Sequence, residues 1–363
     1  MVYRAIGLMS GSSLDGLDIV FTELEERAGK WAFEIKAAHC IPYNAEWLKK
    51  LQAASALNAY EYLLLHSAYG KFTGETVNIF IDKNDLHHKV QLIASHGHTV
   101  FHAPEYGMTA QLGDGAAIAA VTGINVVSDL RAIDVALRGQ GAPIVPMGEK
   151  LLLPQYAYYL NLGGIANISV GNAEKYIAFD VCPANRVLNM LAAKEGKEYD
   201  EGGAMAQSGN VQTALLMQLN NQLYYQQAYP KSLANNFGTD ILFPLIEAAG
   251  LLTADALRTY TEHIVQQIVY AINNLTTSGD TQQMLVTGGG AFNSFLIHRL
   301  QQALNIFNIE VLVPDENLIK YKEALIMALL GVLRWREEDT VLQSVTGASR
   351  SSIGGAVWIG QEA

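Results

Sequence analysis

Short apolar runs of strand length alternate with longer stretches at helical spacing along the whole chain, a pattern that predicts an α/β architecture. Residues 5–9 and 17–24 predict two strands joined by the hairpin loop Ser10-Gly11-Ser12-Ser13-Leu14-Asp15, and 31–41 a third. Residues 57–81 carry helical periodicity, with Tyr60, Leu63, Leu64, Ser67 and Ala68 on one stripe. A buried strand is expected at 90–95, an alanine-rich helix at 113–122 and a strand at 124–128. The pattern then restarts, with strands at 158–162, 165–170 and 176–179 around Gly163-Gly164. Helices are expected at 186–195, 211–223, 239–249 and 254–275, the last with Thr253 as N-cap and Asp255 in its first turn. A strand at 284–287 leads into Gly288-Gly289-Gly290 and a helix at 293–305. A strand at 310–313 and a helix at 323–336 complete the chain.

Each half therefore opens with a strand, a glycine loop and a returning strand, a weak repeat in shape. A chain of 363 residues accommodates about two domains. We draw them as 1–145 and 146–363, with the last helix packing back on the first lobe. Half the residues are hydrophobic and 16% are charged, which excludes disorder, coiled coil and fibrous repeats. The net charge of −11, without a basic run, argues against nucleic acid and anionic membranes as partners. The longest apolar stretch, 324–333, is about half a membrane span. The first residues hold too short an apolar run for a secretory signal. Two cysteines, Cys40 and Cys182, make no disulfide framework. The expectation is a soluble, cytoplasmic protein.

Candidate chemistry lies in the glycine loops. Backbone N–H groups approach phosphate where side chains are absent, and four segments qualify: 11–13, 139–141, 163–164 and 288–290. Tight hairpins use glycine too, and none matches a Walker or dinucleotide-binding pattern. Phosphoryl transfer also wants carboxylates, for magnesium and for a base. Asp15, Asp18, Asp114, Asp129, Asp134, Asp180 and Glu323 sit in or beside these loops. Asp180 ends an apolar strand before a turn and a helix, which suits either a cleft-mouth base or a helix cap. His98 and His102 have the spacing of a helical metal pair, but Gly97 and its β-branched neighbours favour a strand and turn that would scatter the rings. The competing reading is substrate contact or a hydrogen-bonded core position.

Taken in order, GLMSGSSLDGLD (7–18), SHGHTVFHAP (95–104), QLGDGAAIA (111–119) and VVSDLRAIDVALRGQGAPIVP (126–146) resemble the anhydro-N-acetylmuramic acid kinases. So do NLGGIANIS (161–169), FDVCPAN (179–185), VTGGGAFN (286–293), the Glu323-Ala324 helix and SVTGAS (344–349). The resemblance implies a two-lobed actin-like ATPase (ribonuclease H-like) fold with a central cleft. It implies an ATP- and Mg2+-dependent kinase of cell-wall recycling that hydrolytically opens an anhydrosugar and phosphorylates its 6-hydroxyl, and a homodimer. Carried over, Gly11, Ser12, Ser13, Leu14, Asp15, Gly16, Leu17 and Asp18 would hold ATP phosphates with Gly163 and Gly164. Gly288, Gly289, Gly290 and Asn293 would line the adenosine side. His96, His98, Thr99, His102, Arg131 and Asp134 would face the sugar. Asp180 matches the general base that activates water, and Glu323 a second acid near the sugar.

The chain also departs from the family pattern. Its usual GTSLDG reads GSSLDG, and HGQT reads His96-Gly97-His98-Thr99. D-T-G-P-G-N reads Asp180-Val181-Cys182-Pro183-Ala184-Asn185, so that two glycines gain a Cβ where backbone is expected to approach phosphate, a clash or a left-handed strain. P-K-S-T-G-R-E reads Pro230-Lys231-Ser232-Leu233-Ala234-Asn235-Asn236, without its Arg and Glu. The alternative reading is accordingly a nucleotide- or sugar-binding relative without catalysis, acting as regulator or scaffold.

Overall fold

Three long strands with apolar inner positions open the chain and pair as a meander. β1 (Val2–Ser10), β2 (Gly16–Arg27) and β3 (Lys30–Pro42) are antiparallel neighbours. β4 (Leu92–Ala103) returns parallel to β1, and β5 (Met108–Leu112) pairs with its far half. β6 (Val126–Ser128) lies parallel to β4, and the short strand Ala356–Trp358 closes that edge. The computed structural model describes residues 1–11, 13–171, 176–229, 231–233, 236–275 and 282–360.

A second sheet repeats the plan. β7 (Tyr158–Leu162), β8 (Ile165–Gly171) and β9 (Tyr176–Pro183) form its meander. β10 (Gln282–Thr287) and β11 (Ile309–Leu312) add on in parallel. The first sheet thus reads β3-β2-β1-β4-β6 and the second β9-β8-β7-β10-β11. This is the ribonuclease H-like topology of actin-like ATPases, present twice. In each sheet the order reverses beside the first strand. The carboxyl ends of β1 and β4, and of β7 and β10, are therefore the places where such sheets take ligands.

Contacts divide the chain into Met1–Pro154 with Tyr321–Ala363, and Gln155–Lys320. Residues 146–154 thus group with the first unit, against the 145/146 division expected from sequence. The reason is packing: Gly148, on the helix Val145–Leu152, lies against Ile326 of the helix Glu316–Trp335, and Glu149 pairs with its Lys322.

The long helices add detail that the pattern along the chain left open, and one cap departs from expectation. The helix Ala59–Lys83 buries Leu65, Tyr69, Val77, Phe80 and Ile81, while Tyr60, Leu63 and Leu64 are exposed. The sheet below is already filled by Ile6, Leu8, Leu17, Ile19 and Phe21, and the face continuing that cluster is the one buried. Thr253 is not an N-cap. Leu252 is the extended residue before the helix Thr253–Asn273, and Asp255 accepts instead from Asn210 N–H at 2.7 Å.

Candidate active site

The first unit gathers its polar residues at the carboxyl ends of β1 and β4. The sequence expectation ends the fourth strand at residue 95, but β4 runs to Ala103, turned past Gly97 (φ 73°) by a register shift against β1. Its three histidines go to three different partners. His96 Nε2 accepts the Nε–H of Arg131 at 2.9 Å and His96 Nδ1–H donates to the Gly97 carbonyl at 2.8 Å. Burial, with Arg131 beside it, pushes His96 down to about 3, so the ring is neutral. His98 Nδ1 lies 3.0 Å from Ser10 Oγ, and the exposed His102 has Nδ1 3.1 Å from Thr109 Oγ1. Thr99 accepts from the Gln111 amide at 3.4 Å. Among the described residues no three side chains form a metal-binding group.

Glu323 reaches this end on the helix Glu316–Trp335 because β1 offers a glycine. A Cβ on Gly7 would collide with the carbonyl oxygen of Ala324, so only glycine lets the helix seat this close. Burial raises the Glu323 carboxyl, Lys322 and Arg131 pull it back, and Glu149 opposes them. Burial lowers Arg131 to about 10, with Glu323 acting the other way. Lys322 Nζ sits 2.8 Å from Glu149 Oε1 with both side chains almost fully buried. Sequence reasoning missed this ion pair; its one signal was a lysine just ahead of the apolar stretch 324–333.

The 11–18 loop divides in two. Ser12 lies outside the described residues. A Cβ on Gly11 would make only ordinary contact, with Ser13 Oγ at 3.7 Å; Ser13 and Asp15 are exposed, and Leu14 takes a left-handed backbone (φ 61°). Such strain is held only where surroundings enforce it. Gly16 and Leu17 begin β2; the Leu17 side chain is 2% exposed in the core, so it offers backbone alone to a ligand. Burial raises Asp18 to about 6; the Cys40 thiol beside it lowers it, while Glu323 and Asp15 raise it further. Asp134 is committed elsewhere. Fully buried, it accepts from Gly141 N–H and from Thr346 Oγ1–H, each at 2.7 Å, and so shapes the 139–141 loop rather than facing sugar.

In the second unit the glycine loops converge at the ends of β7 and β10. Gly163 and Gly164 turn between β7 and β8, and their carbonyls accept Asn185 and Ala184 N–H at 3.0 and 2.8 Å. Asn185 Nδ2 donates to Leu162 O at 2.9 Å. Gly288 adopts φ 81°, and a Cβ there would meet Asn161 Oδ1 at 2.5 Å. One at Gly290 would meet Leu162 Cβ at 2.6 Å, whereas Gly289 is exposed. Asn293 serves as N-cap of the helix Ser294–Leu304, accepting from Leu296 N–H at 3.0 Å. Asn161 and Asn185, which tie these loops together, were not singled out by sequence.

Asp180 lies within β9 and caps no helix. One residue beyond it the register slips, pairing Asn167 with Asp180 but Ala166 with Cys182. That bulge re-aims side chains. Oδ2 accepts from Leu233 N–H at 2.8 Å, the backbone N–H reaches Lys231 O at 3.3 Å, and Tyr224 donates to its carbonyl at 2.6 Å. Burial raises the carboxyl, with the Leu233 bond opposing. The 230–236 motif thus orients Asp180, although Pro230, Ala234 and Asn235 lie outside the described residues. Cys182 and Ala184 are fully buried in the core, and Ala184 has φ −128°. Neither takes a left-handed backbone, so the expected strain is absent.

A sequence profile of the family described as "Anhydro-N-acetylmuramic acid kinase" matches residues 3–360. The chain belongs to this family. Among relatives of that name, the Hydrogenovibrio crunogenus protein is 33% identical over 97% of both chains. The Aliivibrio fischeri protein is 34% identical over 98% of this chain and 99% of its own. The family is one of kinases. A solved structure with a similar arrangement is the activator of 2-hydroxyisocaproyl-CoA dehydratase from Clostridium difficile, at 13% identity, 92% and 96% coverage and a TM-score of 0.44. Another is a ROK family glucokinase from Streptomyces griseus, at 13% identity, 91% and 99% coverage and a TM-score of 0.42.

Proposed function

We propose that this protein is an ATP-dependent kinase that hydrolytically opens 1,6-anhydro-N-acetylmuramic acid and phosphorylates its 6-hydroxyl, giving N-acetylmuramic acid 6-phosphate and ADP. The family match over 3–360 carries this reading. The half-buried Asp180, its carboxylate accepting from Leu233 N–H, supports it from the site.

Asp180 takes a proton from the water that attacks the anomeric carbon. The bond from that carbon to the 6-oxygen breaks, and the 6-oxygen takes the γ-phosphoryl group as ADP leaves. A carboxylate with raised affinity for the proton is a better base than an exposed one. Glu323 and Arg131 hold sugar oxygens, the guanidinium kept in place by His96. The open backbone at Gly11, Gly163, Gly164 and Gly289 fits phosphate, since no Cβ fills the approach. Mg2+, held by ATP oxygens with the exposed Asp15 carboxylate, would screen phosphate charge. Neither Cys182 nor Ala184 takes a left-handed backbone, and no observation favours a non-catalytic relative. A cytoplasmic location and a homodimer complete the reading, and sedimentation equilibrium tests the second.

The deciding experiment is ADP release with ATP, Mg2+ and the anhydrosugar. Sugar-dependent turnover is expected, falling by about 10²–10⁴-fold in Asp180→Asn. Absence of turnover while ATP still binds would overturn the reading.

A further inference from the structure

A buried chain of hydroxyl groups meets His98 at the switch point of the first sheet. Ser10, the last residue of β1, pairs with His98 across the parallel β1–β4 register. Its Oγ lies 3.0 Å from His98 Nδ1. Tyr43, just past β3, donates to Ser10 Oγ at 2.7 Å, and the Tyr69 hydroxyl lies 2.5 Å from that of Tyr43. Ser10, Tyr43, Tyr69 and His98 are 3%, 6%, 1% and 7% exposed. Packing fixes the phenols: Trp47 meets Tyr69 edge-on at 5.6 Å between centroids, and Phe72 lies 6.2 Å from Tyr43.

Tyr43 donating to Ser10 gives the hydroxyl chain a direction. Each hydroxyl has one proton to give. That of Tyr43 goes to Ser10, so the proton between the two tyrosines belongs to Tyr69. Ser10 Oγ can accept twice, but beyond its phenol neighbours only His98 Nδ1, among the described residues, lies within reach to take the Ser10 proton; donation there leaves Nδ1 bare and puts the proton of the neutral ring on Nε2. Burial keeps both phenols protonated and disfavours a second proton on His98. His98 Nε2 has no hydrogen-bond partner among the described residues, although the ring is more than nine-tenths buried.

We infer that Tyr69, Tyr43 and Ser10 are positioning residues that lock His98 as the Nε2–H tautomer, a single neutral donor for a hydroxyl or acetal oxygen of the bound sugar. This rests on the proposed function for the ligand, but not for the tautomer. A neutral donor suits an uncharged oxygen, whereas phosphate draws charged or backbone donors. The amide that relatives of this pattern carry here can flip between donor and acceptor, and the relay removes that freedom.

Ring 1H–15N correlation spectra of the full-length protein near neutral pH test the relay, with His98 assigned by its loss in His98→Gln. The expected spectrum shows Nε2–H alone, mixed tautomers in Tyr43→Phe, and movement of the Nε2 signal on adding anhydrosugar. Kinetics supply the second arm. His98→Ala should raise the sugar KM about 10–100-fold, a lost hydrogen bond's worth, with the ATP KM unmoved, and His98→Gln should recover most of it. Tyr43→Phe should raise the sugar KM only as far as the Nε2–H fraction falls, about 2-fold for an even mixture. An Nδ1–H tautomer in the unaltered protein, or an ATP KM that moves as far as the sugar KM, would overturn the inference. Absence of all sugar turnover would instead remove the proposed function, while the spectrum still decides the tautomer.

Discussion

Asp18 shows how one residue trades stability for a charge held ready. Burial lifts its carboxyl from 3.8 to about 6, so the folded state binds the proton more tightly than the unfolded one. The stability this confers is complete below about pH 4 and is lost as pH rises through about 6, a change of about 3 kcal/mol. Asp18→Asn should therefore raise Tm at about pH 8 and leave it nearly unchanged at about pH 4, read by thermal melts at both. Asp180 follows the same logic in activity. Its burial should place the acid limb of kcat/KM above the ordinary carboxylate range, and a limb near pH 4 would count against its role as base. Asp180 was legible in sequence as a carboxylate beside an apolar strand and a proline turn. Its Leu233 partner and its bulge were not, because they depend on a segment some fifty residues away and on register. Tyr43 and Tyr69 were invisible for the same reason: aromatic residues on a strand end and a helix read as core until their hydroxyls are seen to meet.

Among the elements, the helix Glu316–Trp335 is the one whose seat matters most. Gly7 beneath Ala324, Gly331 beside Ala94 and Gly148 against Ile326 bring its backbone onto the sheet and carry Lys322 and Glu323 to their places. Gly7→Val should destabilise by about 1–3 kcal/mol or more through overpacking, measured by urea unfolding, and should cost activity because Glu323 moves with the helix. The strand and helix order was readable because periods of 2 and 3.6 leave distinct apolar patterns. The buried face of the helix Ala59–Lys83 was not legible, because Tyr60, Leu63 and Leu64 on the outer stripe are as apolar as the residues that pack. Composition along one helix does not say which stripe meets the sheet.

For the molecule as a whole, the first unit is closed by a segment that returns from the far end of the chain. The buried Lys322–Glu149 pair spans that join, 173 residues apart in sequence. Removing Lys322 takes the cation away from a buried carboxylate. Lys322→Met should cost about 3–5 kcal/mol, and adding Glu149→Leu should recover most of it; equal losses in single and double variants, by the same unfolding assay, would refute the account. The sequence by itself determined the α/β class, the repeated strand–glycine-loop–strand openings and the family, because these rest on local periodicity and on ordered motifs. Only the tertiary structure decided that both sheets share one strand order, that three histidines in a row serve three different partners, and that Asp134 and Leu17 turn inward. It also decided that Cys182 and Ala184 sit in the core without a left-handed backbone. Those outcomes depend on which side chains meet across distant strands, and burial and proton count are set only once they have met.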